Sequence, residues 1–277
     1  MEENALKRPD SVKKNNQNIR GEIVTNPVKD KLKAGKPSVG TWICMGNPDV
    51  SEQLSMLGFD WLTFDLEHGS MTMPDVQRMM QAMSSSECVP LARVPVNEPV
   101  YFKWVLDAGA RGVVIPYVNS RQEAENAVRA CKYPPEGARG CGPRRASRYY
   151  SSLTEYVKNA NDDILIVVMI ETQTALDNID EILAVPGIDA VFIGPTDLSL
   201  SLGVFLQTDH PKFKSAIQRI LEACGTHGVA PGIHCNENNI NDALSNGFKF
   251  CCLNYDDAFL TMGARISLQK VKGWTHT

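Results

Sequence analysis

The sequence lacks a surplus of either charge: 28 Lys and Arg stand against 32 Asp and Glu, a formal net charge of −4. No global field therefore draws the chain toward nucleic acid or an anionic membrane, and neither is an expected partner. Long apolar runs are also missing. The longest, such as Ile164 to Ile170, fall far short of the ~20 residues that span a bilayer. The N-terminal MEENALKRPDSVKKNNQ carries no apolar core of a secretory signal, so the expected location is the cytoplasm. The eight cysteines show no CxxC spacing, and Cys251 and Cys252 form an adjacent pair inside an apolar run. Buried free thiols are the plainer reading than zinc or disulfides.

What is present is enough chain for one large core: 277 residues, 43% of them hydrophobic, where a barrel uses ~250 as a single unit. Residues 1–33 are polar and read as a loose N-terminal arm able to dock on a neighbour, with residues 34–277 as the catalytic domain. From Pro37 onward, short β-branched runs alternate with amphipathic stretches. Strands are predicted at Ser38-Met45, Phe59-Phe64, Val89-Arg93, Gly112-Pro116, Ile164-Ile170, Ala190-Ile193, Val229-Ile233 and Phe248-Leu253. Helices are predicted between them, with Gly58, Gly109, Gly187, Gly228 and Gly247 placed to stop them. Eight evenly spaced strands favour a (β/α)8 TIM barrel over a doubly wound sheet. The connection from Lys132 to Asp163 is too long for an ordinary loop, which points to a functional role.

Active sites of such barrels lie at the carboxyl ends of the strands. There the sequence places Asp65-Leu66-Glu67-His68, Arg93, Glu171, Gly194-Pro195-Thr196-Asp197, His234 and Asn254. Glu171 and Asp197 close neighbouring strands. Two hard oxygen ligands suit Mg2+, Mn2+ or another octahedral divalent ion such as Co2+. Equally, Glu171 reads as a helix cap and Asp197 as a turn residue, and spacing alone does not decide. Arg93 offers a planar fork for a carboxylate, or a structural ion pair. His68 has Asp65 three residues away to fix its tautomer and act with it in acid–base chemistry. Gly137 to Arg145 is a weak phosphate cradle and more simply a flap or subunit contact.

LGFDWLTFDLEHGS (Leu57 to Ser70), PLARVP (Pro90 to Pro95), YPPEGARGCG (Tyr133 to Gly142) and the long block from Ile170 to Gly203 resemble the HpcH/HpaI aldolase family, metal-dependent pyruvate aldolases whose relatives include macrophomate synthase. The similarity runs from about Pro37 to Lys272. It implies a barrel of the phosphoenolpyruvate/pyruvate-binding type, a homo-oligomer (trimer or hexamer), a divalent metal and a 2-oxo acid. By that resemblance the metal carboxylates fall on Glu171 and Asp197, a His-Asp dyad on His68 and Asp65, and a carboxylate-binding arginine on Arg93. Backbone donors fall on Thr196 and Asp197. The family commonly has Gly, Ala and Gln where Leu66, Thr196 and Met169 stand.

The implied chemistry is cleavage or formation of a 4-hydroxy-2-oxo acid through a metal-stabilised pyruvate enolate, with an aldehyde or other electrophile as partner. Alternatives are oxaloacetate decarboxylation or a macrophomate-synthase-like use of the same enolate, and a non-catalytic barrel scaffold. A Schiff base is rejected because no predicted strand offers an interior lysine except Lys249, near an amino end. Met169 shares the inward face of its strand with Glu171 one layer deeper, so a thioether is expected on the pocket floor and a bulkier or more apolar electrophile with it. Thr196 and the Lys132 to Asp163 connection are expected to shape the outer wall.

Overall fold

The computed structural model describes residues 25–272. Its strands are β1 Ser38–Ile43, β2 Trp61–Asp65, β3 Val89–Arg93, β4 Gly112–Ile115, β5 Leu165–Met169, β6 Ala190–Ile193, β7 Ala230–Cys235 and β8 Phe250–Tyr255. All pair in parallel and in chain order, and β8 returns to β1 to close a barrel. The helices are α1 Pro27–Lys33, α2 Pro48–Ser55, α3 Met73–Ala82, α4 Pro99–Ala108, α5 Arg121–Cys131, α6 Leu153–Asp163, α7 Gln173–Asp177, α8 Ile179–Leu183, α9 Pro195–Ser201, α10 Pro211–His227, α11 Ile240–Ser245 and α12 Asp256–Leu268. The (β/α)8 barrel is therefore present. None of these helices is long and apolar enough to cross a membrane.

Both faces of the sheet are buried, which is why its strands read as nearly continuous apolar runs. Outward positions such as Leu62, Phe64, Val113, Ile115, Ile166 and Val168 pack under the helices. Inward positions such as Trp42, Trp61, Leu91, Val167, Met169, Phe192 and Phe250 fill the barrel. Trp61 stacks on Phe250 with ring centroids 4.3 Å apart. That stack requires Gly40, because a Cβ there would sit 2.0 Å from the Trp61 ring. Six of the eight cysteines are buried, and all eight are free thiols.

The boundary expected at residue 33 is wrong for the segment the structure describes. Residues 27–33 form α1, whose Val28 and Leu32 join the interior cluster and close the amino end of the barrel. Asn26 caps this helix by accepting from the N–H groups of Val28 and Lys29. Its amide also donates to the carbonyls of Arg111 and Asp163, at 2.8 and 3.1 Å. Lys29 is buried, donates to the Ile164 carbonyl at 2.8 Å and pairs with Asp189 at 3.0 Å. The segment is polar because its polar atoms fasten it, while two apolar side chains do the plugging. Residues 1–24, the rest of the expected arm, lie outside the described residues.

The connection after α5 also departs from expectation. It contains α6 and starts at the amino end of the barrel, where α5 has just delivered the chain. Arg139 is buried, pairs with Asp107 at 2.7 Å and lies over the Tyr133 ring at 4.6 Å. Arg145 donates to the carbonyls of Ala108 and Met80 at 2.8 and 3.0 Å. These arginines are spent pinning the segment to α3 and α4, which removes the phosphate-cradle reading.

Lys29→Met leaves the largely buried Asp189 carboxylate without its cation, held only by the Ile166 N–H. It should cost about 3 kcal/mol in urea denaturation, as broken buried pairs do. A loss below about 0.5 kcal/mol, the scale of an ordinary surface change, would mean that α1 is an appendage.

Candidate active site

Side-chain alternation carries the inward face of each strand up to the carboxyl end of the barrel. There Asp65, Arg93, His234 and Asn254 line a cavity of about 600 Å³ together with Trp42, Met169, Phe192, His68, Thr196 and Asp197. Glu171, two residues beyond Met169, abuts this cavity. None of the lining residues comes from 132–163, so that connection does not form the outer wall that was expected of it.

The choice left open for Glu171 is decided by its neighbour. Thr172 caps α7, accepting the Ala175 N–H at 3.0 Å, which leaves the Glu171 carboxylate to face the barrel. Its Oε1 accepts the Tyr117 N–H at 2.7 Å, and Tyr117 holds the left-handed φ of 52° to present it. Oε2 lies 3.4 Å from the point where a Cβ on Gly194 would stand, and so do Asp197 Oδ2 and Met169 Cε. A glycine void thus separates two carboxylate oxygens with the thioether beside them. Glu171 is 2% exposed. Burial first, then the charges of Glu67 and Asp197, pushes its carboxyl up to about 7 against the pull of the Tyr117 N–H. A buried carboxylate beside two others, with no salt-bridge partner among the described residues, is a donor set suited to a divalent ion.

A tighter cluster of ligand-type atoms, Cys44, Asp256 and Asp257, lies at the rim. It is the poorer candidate. The Asp256 carboxylate already accepts the N–H groups of Cys44, Met45 and Asp257 at 2.9 to 3.0 Å. Burial, with Asp65 and Asp256 nearby, pushes the Cys44 thiol up to about 12, so it stays protonated.

Arg93 is placed as expected but is less free. Its Nε and Nη2 donate to the two Asp65 oxygens at 2.8 and 2.6 Å. Nη1 lies 2.8 Å from Glu67 Oε2, close enough to pair charges though that oxygen has no aligned hydrogen bond. With two N–H donors on Asp65 and a third facing Glu67, two of its five remain for a ligand. The guanidinium rests 4.2 Å from the Trp42 ring centroid. Asp65 therefore orients Arg93. It also accepts the backbone N–H groups of Glu67 and His68 at 3.0 and 3.2 Å. The ring of His68 is exposed at the rim, and no ring hydrogen bond to Asp65 is present among the described residues. The expected side-chain dyad is thus replaced by an Asp65–Arg93 fork, because a bidentate guanidinium is the stronger partner for the carboxylate.

Met169, 1% exposed, stands beneath the carboxylates as alternation requires, and Thr196 is exposed on the opposite lip at the start of α9. The sequence argument assigned no role to Glu67, although it shares Arg93's charge. Its clue was position alone, between Asp65 and His68. Trp42 was also missed; it read as one more apolar residue of β1, yet its Nε1 is buried without a partner. The buried lysine among the described residues, Lys29, lies at the opposite end of the barrel.

Without metal, Glu171 is a folding liability whose sign is fixed by its raised pKa. Its stability contribution is intact below the ordinary carboxylate range and is lost as pH rises through about 7. Glu171→Gln, which can still accept from Tyr117, should raise Tm of chelator-treated protein at about pH 8, with the gain fading near pH 5. A lower Tm at the higher pH would show that the charge is compensated.

The model of the HpcH/HpaI aldolase/citrate lyase family matches residues 38–261. A 4-hydroxy-2-oxo-heptane-1,7-dioate aldolase of Salmonella dublin is 40% identical over 242 residues, 86% of this chain and 92% of that protein. An HpcH/HpaI aldolase/citrate lyase family protein of Burkholderia cenocepacia superposes with a TM-score of 0.85 at 31% identity, covering 90% of this chain and all of the other. Macrophomate synthase shares the fold alone, with a TM-score of 0.79 at 23% identity over 88% of each chain. The chain belongs to the HpcH/HpaI aldolase/citrate lyase family.

Proposed function

We propose that the protein is a divalent-metal-dependent aldolase that makes or cleaves the C3–C4 bond of a 4-hydroxy-2-oxo acid through the enolate of pyruvate. The observation that carries this reading is the convergence of Glu171 and Asp197 on the void at Gly194, at the edge of the cavity that Asp197 lines with Arg93 and His68. The activity named for the 40% identical relative supports it. Mg2+, Mn2+ or Co2+ as the ion, a homotrimer or homohexamer as the assembly and the cytoplasm as the location are parts of the same proposal.

Glu171 and Asp197 would hold the ion, which supplies Lewis-acid stabilisation of negative charge on the keto oxygen when bound. Arg93, fixed in plane by Asp65 and Trp42, gives its two remaining N–H donors to the carboxylate of the oxo acid. The N–H groups of Thr196 and Asp197, unsatisfied within the first turn of α9, are further donors to that acid. Trp42, Phe192 and Met169 keep water from the carbon that becomes nucleophilic. His68 at the rim accepts the proton of the C4 hydroxyl in cleavage and returns it in synthesis. Met169 leaves the floor without an amide, so the electrophile should be less polar than one handled by a relative with Gln there.

The test is deuterium uptake at C3 of pyruvate, followed by NMR with and without Mn2+. Metal-dependent exchange that is lost in Asp197→Asn supports the reading, and absence of exchange with metal present removes it. His68→Ala should slow aldol turnover by ~10²-fold or more while Mn2+ affinity stays near that of the parent. Equal turnover in mutant and parent across the pH range would take His68 out of the mechanism.

A further inference from the structure

We propose that the β7–α11 side of the cavity, made by His234, Asn236 and Asn239, is the subsite for the electrophile, and that it selects one whose far end is polar but uncharged. The inference rests on the enolate reading above and names its second substrate by class. Asn236 and Asn239 are held by their own carbonyl oxygens: Asn239 Oδ1 accepts the Asn236 N–H at 2.8 Å, and Asn236 Oδ1 accepts the Asn238 N–H at 2.9 Å. Both amide NH2 groups are thereby left without a protein acceptor among the described residues, and both residues line the cavity. A donor whose orientation is already fixed loses little freedom when it binds.

His234 stands on the inward face of β7, half-buried, with its ring 6.1 Å from that of Tyr255. Burial, reinforced by the positive Arg93, lowers its proton affinity against a hydrogen bond with the Asn254 backbone, so it meets a ligand as a neutral imidazole with one ring nitrogen left for it. This wall therefore offers dipoles and no charge.

The surrounding field is unfavourable to a second anion. Arg93 is the one Lys or Arg among the described lining residues, and Asp65 and Glu67 already hold it. Glu171 and Asp197 add negative charge, and Glu237, which accepts from the Asn254 amide at 2.9 Å, adds more beside the wall. An electrophile with a distal carboxylate would leave that charge unpaired next to carboxylates, whereas an ester, ether or hydroxyl oxygen meets donors already in place.

The experiment uses the Mn2+-loaded full chain with pyruvate. Exchange at C3, which needs no electrophile, is measured first; its absence would overturn the enolate reading and the subsite with it. Specificity constants are then compared for succinic semialdehyde, its methyl ester and pentanal. The ester should be preferred over both by about tenfold or more, in the range expected when a polar group gains or loses its partner in a site. Asn239→Lys should move the semialdehyde-to-ester ratio by about tenfold toward the anion, a ratio that cancels any general loss of activity. His234→Leu should erase the preference for ester over pentanal. With exchange intact, a semialdehyde favoured over its ester in the parent would overturn the uncharged-acceptor inference, and ratios unchanged in both variants would overturn the placement of the subsite.

Discussion

The mouth of the barrel depends on one constraint: Glu171 is an acid buried at the end of β5 among other acids. Burial and the charges of Glu67 and Asp197 favour its protonated form, opposed by the Tyr117 N–H and, more weakly, by the charge of Arg93. Replacing such a group with an apolar one would serve stability better. Its cost is met elsewhere in a tightly packed barrel, through the Trp61–Phe250 stack and the α1 plug. The void at Gly194 belongs to the same constraint, since any larger side chain would fill the space toward which Glu171 and Asp197 both reach.

The positive side of the site is equally constrained. Arg93 is bracketed by Asp65 and Glu67 and rests against Trp42, so its plane is set before any ligand arrives. The strands make this possible through register: Asp65 of β2 lies directly across from Arg93 of β3. A one-residue slip would send one of the pair into the helix layer. The arrangement leaves a guanidinium that is oriented and only partly satisfied, beside a Glu171 carboxylate held by the Tyr117 N–H.

Much of this was legible in the sequence, and the reasons can be named. The eight strands were visible because burial on both faces writes apolar, β-branched runs, and the inward order Met169 then Glu171 followed from a period of two. That Glu171 and Asp197 converge needed only their place at the ends of adjacent strands. Other features depended on partners distant in the chain. The α1 plug was hidden because Asn26 and Lys29 look like loop residues until the carbonyls of Arg111, Asp163 and Ile164 meet them. Sequence nearness suggested that Asp65 serves His68. The structure gives it to Arg93, 28 positions away, because a bidentate charged fork is the stronger bond. The long connection drew attention by its arginines, which turn out to be structural.

The central claim is that Glu171 and Asp197 form a divalent-ion site whose unfavourable electrostatics are relieved by the ion. Calorimetric titration of the full chain with Mn2+ at about pH 6, in buffers of different ionisation enthalpy, tests this most directly, because a carboxyl raised to about 7 must give up its proton to a metal. The account predicts one ion per chain with release of most of a proton, the release being absent in Glu171→Gln and the binding itself weakened in Asp197→Asn. Binding that releases no proton, or that survives both substitutions unchanged, would contradict it.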